Sequence, residues 1–437
     1  MTRFALLALT LLLTACGPLY LIPDLNDILE LQDLDEAAEL YLVLELEMGK
    51  HDEKHVDAYF GPTKDELIDT EEDGPAWDLD QILWLSQGLS KSLAERDTQG
   101  DPMLRMRIDG LLARLQALET RIAINKGEYP SFDEESLALF GSQAPDYDAA
   151  HFQAILDELD AIVPGEGPLA KRVETFNEQF VIPLDKLPAV FEAAMDECRA
   201  RTKQYIDLPE NESFTIEYVN DVPWSGYNWY KGDAHSLIQV NTDFPIYISR
   251  AVDLGCHEGY PGHHTFNALL EKNLLEDQGW IEYSLYPLFS PQSLIAEGSA
   301  NYGIELAFPG EERMAFEKDV LFPLAGLDAG NADLYYEIAE LVAKLNFAGN
   351  EAARGYLNGD MTREDAAQWL QDYGMTAEDK SFQRMRFIDT YRSYVINYNH
   401  GKVLVADYIE AGDPDLEERW ARFEKLLSSP MLPKDLN

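Results

Sequence analysis

The stretch His257-Glu258-Gly259-Tyr260-Pro261-Gly262-His263-His264 decides how the rest of the chain is read, because it gathers three of the eight histidines and sets a carboxylate beside the first. Just upstream, residues 249–256 (SRAVDLGC) place Ala251, Val252, Leu254 and Cys256 as a partly buried helix would, delivering His257 and Glu258 inward. On an unbroken helix, positions seven apart lie on one face but about 10 Å apart. Two ligands of one zinc must each bring an atom to about 2.0–2.1 Å from it. A straight helix is therefore a poor fit. Pro261 lacks an N–H and clashes with the preceding turn, and Gly262 tolerates unusual backbone angles. Together they predict a break or bulge that returns His263 or His264 toward His257.

His followed directly by Glu opens the zincin arrangement, in which helical histidines hold Zn²⁺ and the glutamate serves as general base. The usual second histidine, four residues on, is replaced by Pro261. The candidate third ligand is Glu297. It begins a run (EGSANYGIEL, 297–306) whose small residues permit close helix approach, and whose neighbours Leu294, Ala300, Ile304 and Ala307 have helical spacing. Asn301, one turn later, is placed to orient a ligating histidine from behind. The expected centre holds one Zn²⁺ on His257, one of His263 and His264, and Glu297, with Glu258 as base.

The runs WSGYNWY (224–230), VNTDFP (240–245), HEGYPGHH (257–264), SPQSLIAEG (290–298) and NYGIEL (301–306) resemble the bacterial DUF885 family, and DAYFGP (57–62) and the run 394–401 extend the likeness over roughly residue 57 to the C-terminus. The resemblance implies an α-rich, zincin-type metallopeptidase fold. It implies His257 and His263 as histidine ligands with His264 as the alternative, Glu297 as carboxylate ligand and Glu258 as base. Asn241, in VNTDFP, and Tyr227 are further candidates to bind substrate. Glutamate-type zincins commonly use a late Tyr or His to hydrogen-bond the developing oxyanion. Tyr394, Tyr398 and His400 are the candidates here.

The first 16 residues read as a lipoprotein leader: Arg3, an apolar core from Phe4 to Leu13, then Leu-Thr-Ala before Cys16, the expected lipidation site. That apolar run is too short to span a bilayer, and no other stretch of the sequence is apolar enough. The expected location is the cell envelope, lipid-anchored on the periplasmic side, with the outer membrane favoured. Cys198 and Cys256 are the remaining cysteines. An oxidising compartment would allow them to bridge, and a buried packing role is the alternative. With 34 basic against 80 acidic residues the net charge is −46, which repels polyanions, so no nucleic acid partner is expected. No specific protein partner is predicted.

Length permits a large core, and an apolar fraction of 46% with 11% aromatics excludes disorder. The fold expected is mainly α (α+β): residues 17–437 form a single domain with a helical first part (about 25–213) and a catalytic part (about 214–437), the latter holding a small β-sheet next to the metal-site helix. Helices are predicted over 25–46, 76–93, 103–125, 151–162, 169–180, 187–205, 314–324 and 334–346, with Thr362 capping another through a Thr-x-x-Asp box. Residues 129–147 read as loop-rich. Alternating segments 214–220 and 237–241 read as strands, with Trp224, Tyr227, Trp229 and Tyr230 in a loop where they either line a substrate cleft or pack beneath it as satellite core. In so acidic a chain, Arg384, Arg386 and Arg392 among tyrosines suggest a fixed anion, either internal carboxylates held in structural salt bridges or a substrate's carboxyl group, which Arg386 or Arg392 would clamp.

These observations point to a zinc hydrolase acting on a peptide or small amide. Two other readings stay open: a non-catalytic envelope lipoprotein of zincin-like fold, and a metal hydrolase of non-peptide amides or esters. A serine hydrolase is not expected, since no GxSxG elbow occurs.

Overall fold

The computed structural model describes residues 33–62, 67, 76–98, 100–222 and 224–436. Cys16 and the leader lie outside them. The described chain is mostly helical with two small sheets. The order is α1 (Leu34–Gly49), β1 (Val56–Tyr59), α2 (Leu79–Ala94), α3 (Pro102–Asn125), α4 (Phe132–Phe140), α5 (Ala149–Ile162), α6 (Leu169–Asn177), α7 (Leu187–Thr202), β2 (Ser213–Val219), β3 (Gly226–Tyr230), β4 (His235–Asn241), α8 (Ser249–Leu254), α9 (His263–Leu270), β5 (Leu285–Pro287) and α10 (Pro291–Ala307). After a helical run broken by a π turn (residues 312–325) come α11 (Ala332–Lys344), α12 (Ala348–Leu357), α13 (Arg363–Tyr373), α14 (Glu378–Tyr391), α15 (Ile396–Glu410) and α16 (Leu416–Ser428).

Local signals explain most helix starts. Asp78 and Thr362 cap α2 and α13 through reciprocal boxes, and Asp101 with Pro102 at the first turn opens α3. The segment read as loop-rich contains α4, which starts at a Ser131–Glu134 capping box and stops at left-handed Gly141. Its interior is short and acidic, so hydrophobic periodicity alone did not reveal it. Leu40, Tyr41 and Val43 of α1, Ile82, Leu85 and Leu89 of α2 and Leu111, Leu115 and Leu118 of α3 close an N-terminal core. A larger core runs from Phe152 of α5 to Leu436.

The three-stranded sheet has the order β2-β4-β3, with β2 parallel and β3 antiparallel to β4. The aromatic segment expected as a loop is thus largely strand β3, with Tyr227 paired to Gln239 and Trp229 to Leu237. Within the run 57–62 the chain is also strand: β1 pairs antiparallel with β5, far along the chain. Helix α10 packs along α15 with backbones in contact, where a Cβ added at Gly298 would come within 2.5 Å of the Gly401 carbonyl carbon. The small residues of the 297–306 run therefore serve close helix approach. Among the described residues no helix is long and apolar enough to cross a membrane.

Candidate metal centre

The HEGYPGHH segment does not continue helix α8. Residues Gly255–Gly259 form a π turn, the chain leaves helical angles at Tyr260, and α9 starts anew at His263. Gly262 holds the break together: its N–H bonds the Cys256 carbonyl at 2.9 Å, and a Cβ there would lie 1.9 Å from the His257 carbonyl oxygen. Only glycine lets the two turns close this tightly. The break carries the His263 ring back onto the His257 ring, with centroids 4.6 Å apart.

Glu297, in the middle of α10, completes the group. Its Oε2 lies 3.3 Å from His257 Nε2 and 3.7 Å from His263 Nε2. Among the described residues, these three are the His/Cys/Asp/Glu group with ligand atoms close enough to hold one ion, all within 4.8 Å. Glu297 is 7% exposed, yet its Oε2 is buried without a hydrogen bond. A buried carboxylate oxygen left unbonded beside two imidazole nitrogens is costly unless something else joins them. Two histidines and a carboxylate are a common donor set for catalytic zinc, leaving one position open, so the residues fit the ion.

The electrostatics agree. Burial disfavours the charged form of Glu297, but His257 and His263 outweigh it and hold the carboxyl well below its usual range. Burial likewise opposes charge on His263, yet Glu297, with Glu258 and Asp57 behind it, raises that imidazole to about 9. Three carboxylates around two imidazoles favour a bound cation.

Glu258 is 5% exposed, its carboxylate against Gly226 of β3 and its carbonyl accepting from Asn228 Nδ2 at 2.6 Å. Tyr394, buried, donates its hydroxyl to Glu297 Oε1 at 3.0 Å. The Tyr398 ring stands edge-on to that of Tyr394 at 5.7 Å and feels the charges of Glu297 and Glu258. Burial, reinforced by Glu297, keeps both phenols protonated far above neutral pH.

The remaining predicted residues lie elsewhere or point elsewhere. His264 is fully buried on the opposite side, Nδ1 2.8 Å from Ser236 Oγ and Nε2 3.5 Å from Glu212 Oε2. Glu212 also accepts from Tyr260 and Arg199; burial alone would raise its pKa, but these donors and His264 lower it to about 2. His264 thus braces the loop from behind. His400 Nε2 meets Ser142 Oγ at 2.8 Å, and burial lowers its pKa to about 4, so it is neutral. Asn301 donates to the backbone carbonyls of Glu297 and Tyr398, not to a histidine. Asn241 holds the loop before β3 through the Val222 and Trp224 carbonyls. Arg392 is tied to buried Glu135 at 2.6 Å, and Arg386 is exposed on α14. Tyr227 does reach the site, through its hydroxyl on Asp57.

Asp57 was not singled out as a site residue. Burial raises it to about 6 against the Tyr227 hydroxyl and His263, with Glu297 and Glu258 adding to the rise. Asp57 opens the DAYFGP run, whose likeness alone does not mark it as a site residue. Cys198 and Cys256 form a disulfide, Cα atoms 5.5 Å apart, fastening α7 to the turn that carries His257. Neither is a free packing thiol.

No protein-family model matches the chain, and no curated protein does. The DUF885 likeness therefore rests on its motifs. Similar solved structures include a candidate lipoprotein from Colwellia psychrerythraea (16% identity, TM-score 0.48, covering 80% of this chain and 69% of that one). Another is a candidate lipoprotein of unknown function from Shewanella oneidensis (14%, 0.46, 82% and 71%). A third is an M32 carboxypeptidase from Deinococcus radiodurans R1 (12%, 0.42, 89% and 87%).

Proposed function

We propose that the protein is a zinc-dependent hydrolase of amide bonds, a peptidase acting in the cell envelope, of DUF885 type and anchored by lipid at Cys16. The observation that carries this reading is the convergence of His257, His263 and Glu297 on one point, with a buried oxygen of Glu297 left unbonded. Zinc in such a donor set supplies a Lewis acid for the scissile carbonyl and lowers the pKa of water toward 7.

The chain's own residues divide the remaining work. Glu258 follows His257 directly and acts electrostatically on both His263 and Tyr398, so it faces the same space. It takes the proton of the attacking water and hands it to the leaving amine. Tyr394 fixes the Glu297 carboxylate through its hydroxyl. The Tyr398 hydroxyl takes no hydrogen bond among the described residues and is protonated at every working pH, as an oxyanion donor must be. Because Asp57 reaches the site from the N-terminal helical part, the two parts work as one unit. The Cys198–Cys256 bridge suits an oxidising compartment.

The test is hydrolysis of a mixed peptide library by zinc-loaded protein beside Glu258→Gln. Cleavage by the wild type, lower by about 10²–10⁴-fold in the variant, is the expected result. Cleavage of simple esters and amides without peptides would move the substrate class. No turnover of any of them would leave a binding protein.

A further inference from the structure

Helix α14 runs beside the metal centre, and Arg384 on it is half-buried without an acidic partner among the described residues. Lys380, Arg384, Phe387 and Tyr391 follow at spacings of four, three and four and so share a face. At one end of this stripe, Lys380 Nζ sits 3.1 Å from the centroid of Phe244, an exposed ring in the loop after β4. At the other end, Tyr391 feels the charge of Asp57 and acts on Tyr227. The face therefore spans from the rim of the sheet to the metal centre. Arg384 lies between, its guanidinium 4.7 Å from the Phe387 centroid, and the Phe387 ring is 6.4 Å from that of Tyr398.

Most other buried or half-buried arginines are matched by acids, Arg107 by Glu282, Arg199 by Glu212, Arg313 by Asp253 and Glu317, Arg354 by Glu351 and Asp133; Arg114, buried without an acid, instead donates to Gln292 and lies over the Tyr283 ring. The acids raise the pKa of each matched arginine against whatever burial takes away. Arg384 is half-buried and has no carboxylate within ion-pair distance among the described residues. Burial pulls its pKa below the usual range, with Tyr398 the counterweight. In a chain of net charge −46 an uncompensated guanidinium is conspicuous, since acids to pair with it abound. An unpaired charge out of water is costly until an anion meets it, and a planar fork of donors matches a carboxylate.

We propose that Arg384 binds the carboxylate of the substrate, which is the free C-terminus of a short peptide. The proposal rests on the hydrolase reading above and names its substrate class. Seven residues of α14 separate Arg384 from Tyr391, about 10 Å along the axis. An extended chain covers that span in about three residues. The Tyr391 ring stands 6.1 Å from that of Tyr394, which bonds Glu297, so a peptide held at Arg384 is cleaved within a few residues of its C-terminus, and the enzyme trims ends rather than cutting within folded chains. Arg384, and not Arg386 or Arg392, fills the role that a cationic island in an acidic chain suggested.

The test compares three versions of one peptide, with a free C-terminus, with a C-terminal amide, and as the amide with a glutamate near the end. Wild type, Arg384→Met and Arg384→Lys are each assayed for kcat/KM. The wild type is expected to prefer the free acid over the plain amide by about 10- to 150-fold, the range for a charged hydrogen-bonded pair. In Arg384→Met that preference falls to near unity, and Arg384→Lys regains part of it. Equal rates for acid and amide in the wild type, or an undiminished preference in Arg384→Met, would overturn the proposal. Rescue of the amide by its glutamate would transfer recognition to a side-chain carboxylate and overturn the C-terminal assignment. If the wild type turns over none of the three, the hydrolase reading has failed. Binding of the acid and the amide to zinc-loaded Glu258→Gln, with and without Arg384, then decides the anion site: tighter acid binding only with Arg384 supports it, and equal binding refutes it.

Discussion

Removing metal from the centre should make stability depend on pH in a way that one side chain controls. In the metal-free protein the His263 imidazole is raised from about 6.5 to about 9, burial being outweighed by Glu297, Glu258 and Asp57. A base whose folded pKa exceeds its unfolded value stabilises the fold fully below the unfolded pKa and loses that contribution as pH rises through the folded one. The window here is pH 6.5 to 9. At 1.36 kcal/mol per unit, the shift corresponds to about 3 kcal/mol. Glu317, pushed up to about 7 by burial despite Arg313, also lowers stability as pH rises toward 7. The quantity to measure is therefore the difference between wild type and His263→Gln. Chemical denaturation of chelated protein at pH 6, 7.5 and 9.5 should show the wild type losing about 3 kcal/mol more than the variant across this range. Zinc-saturated wild type should not show the extra loss, since a metal ligand cannot also hold the proton. Parallel pH dependence in chelated wild type and variant would refute the argument that His263 faces Glu297 as a charged pair.

Further outcomes follow from individual contacts. Tyr394→Phe removes the hydroxyl on Glu297 Oε1 and should weaken zinc binding about 10- to 100-fold with the fold intact, read by competition with a chromophoric chelator. Gly262→Ala would drive a methyl into the His257 carbonyl, and the displaced backbone should abolish zinc uptake even where circular dichroism shows helices retained. Breaking Cys198–Cys256, which closes a separation of 58 residues, should cost about 4 kcal/mol by the loop-entropy relation, measured as the denaturation difference between wild type and the double serine variant.

How far the sequence foretold this arrangement differs from place to place. The helix break was legible because Pro261 and Gly262 act through their own backbones, and a bulge there was the geometry that could bring a histidine back to His257. Whether His263 or His264 returns was not legible. The two differ by one position, and the choice depends on Ser236 and Glu212, which receive His264 from elements distant in sequence. The small residues around Glu297 signalled close packing, but their partner Gly401 lies a hundred residues on. Strand β3 was hidden because aromatic residues in a glycine-bearing run suit a cleft loop as well as a strand, and only pairing with β4 distinguishes them. Helix α4 was hidden for a different reason, since its capping box was there to be read but its short acidic interior masked it. The arginine cluster was recognised as a group. Its members were separable only by partners: Glu135 takes Arg392, solvent takes Arg386, and Arg384 is left unmatched.

Metal content decides whether His257, His263 and Glu297 hold zinc. Protein purified with zinc present and passed through a desalting column is assayed by elemental analysis beside His257→Ala, His263→Ala, His264→Ala and Glu297→Ala. About one zinc per chain is expected in the wild type, with loss in the His257, His263 and Glu297 variants and retention in His264→Ala to the extent that it folds. A well-folded wild type without zinc, or zinc that survives loss of Glu297 and His263, would contradict that ligand set.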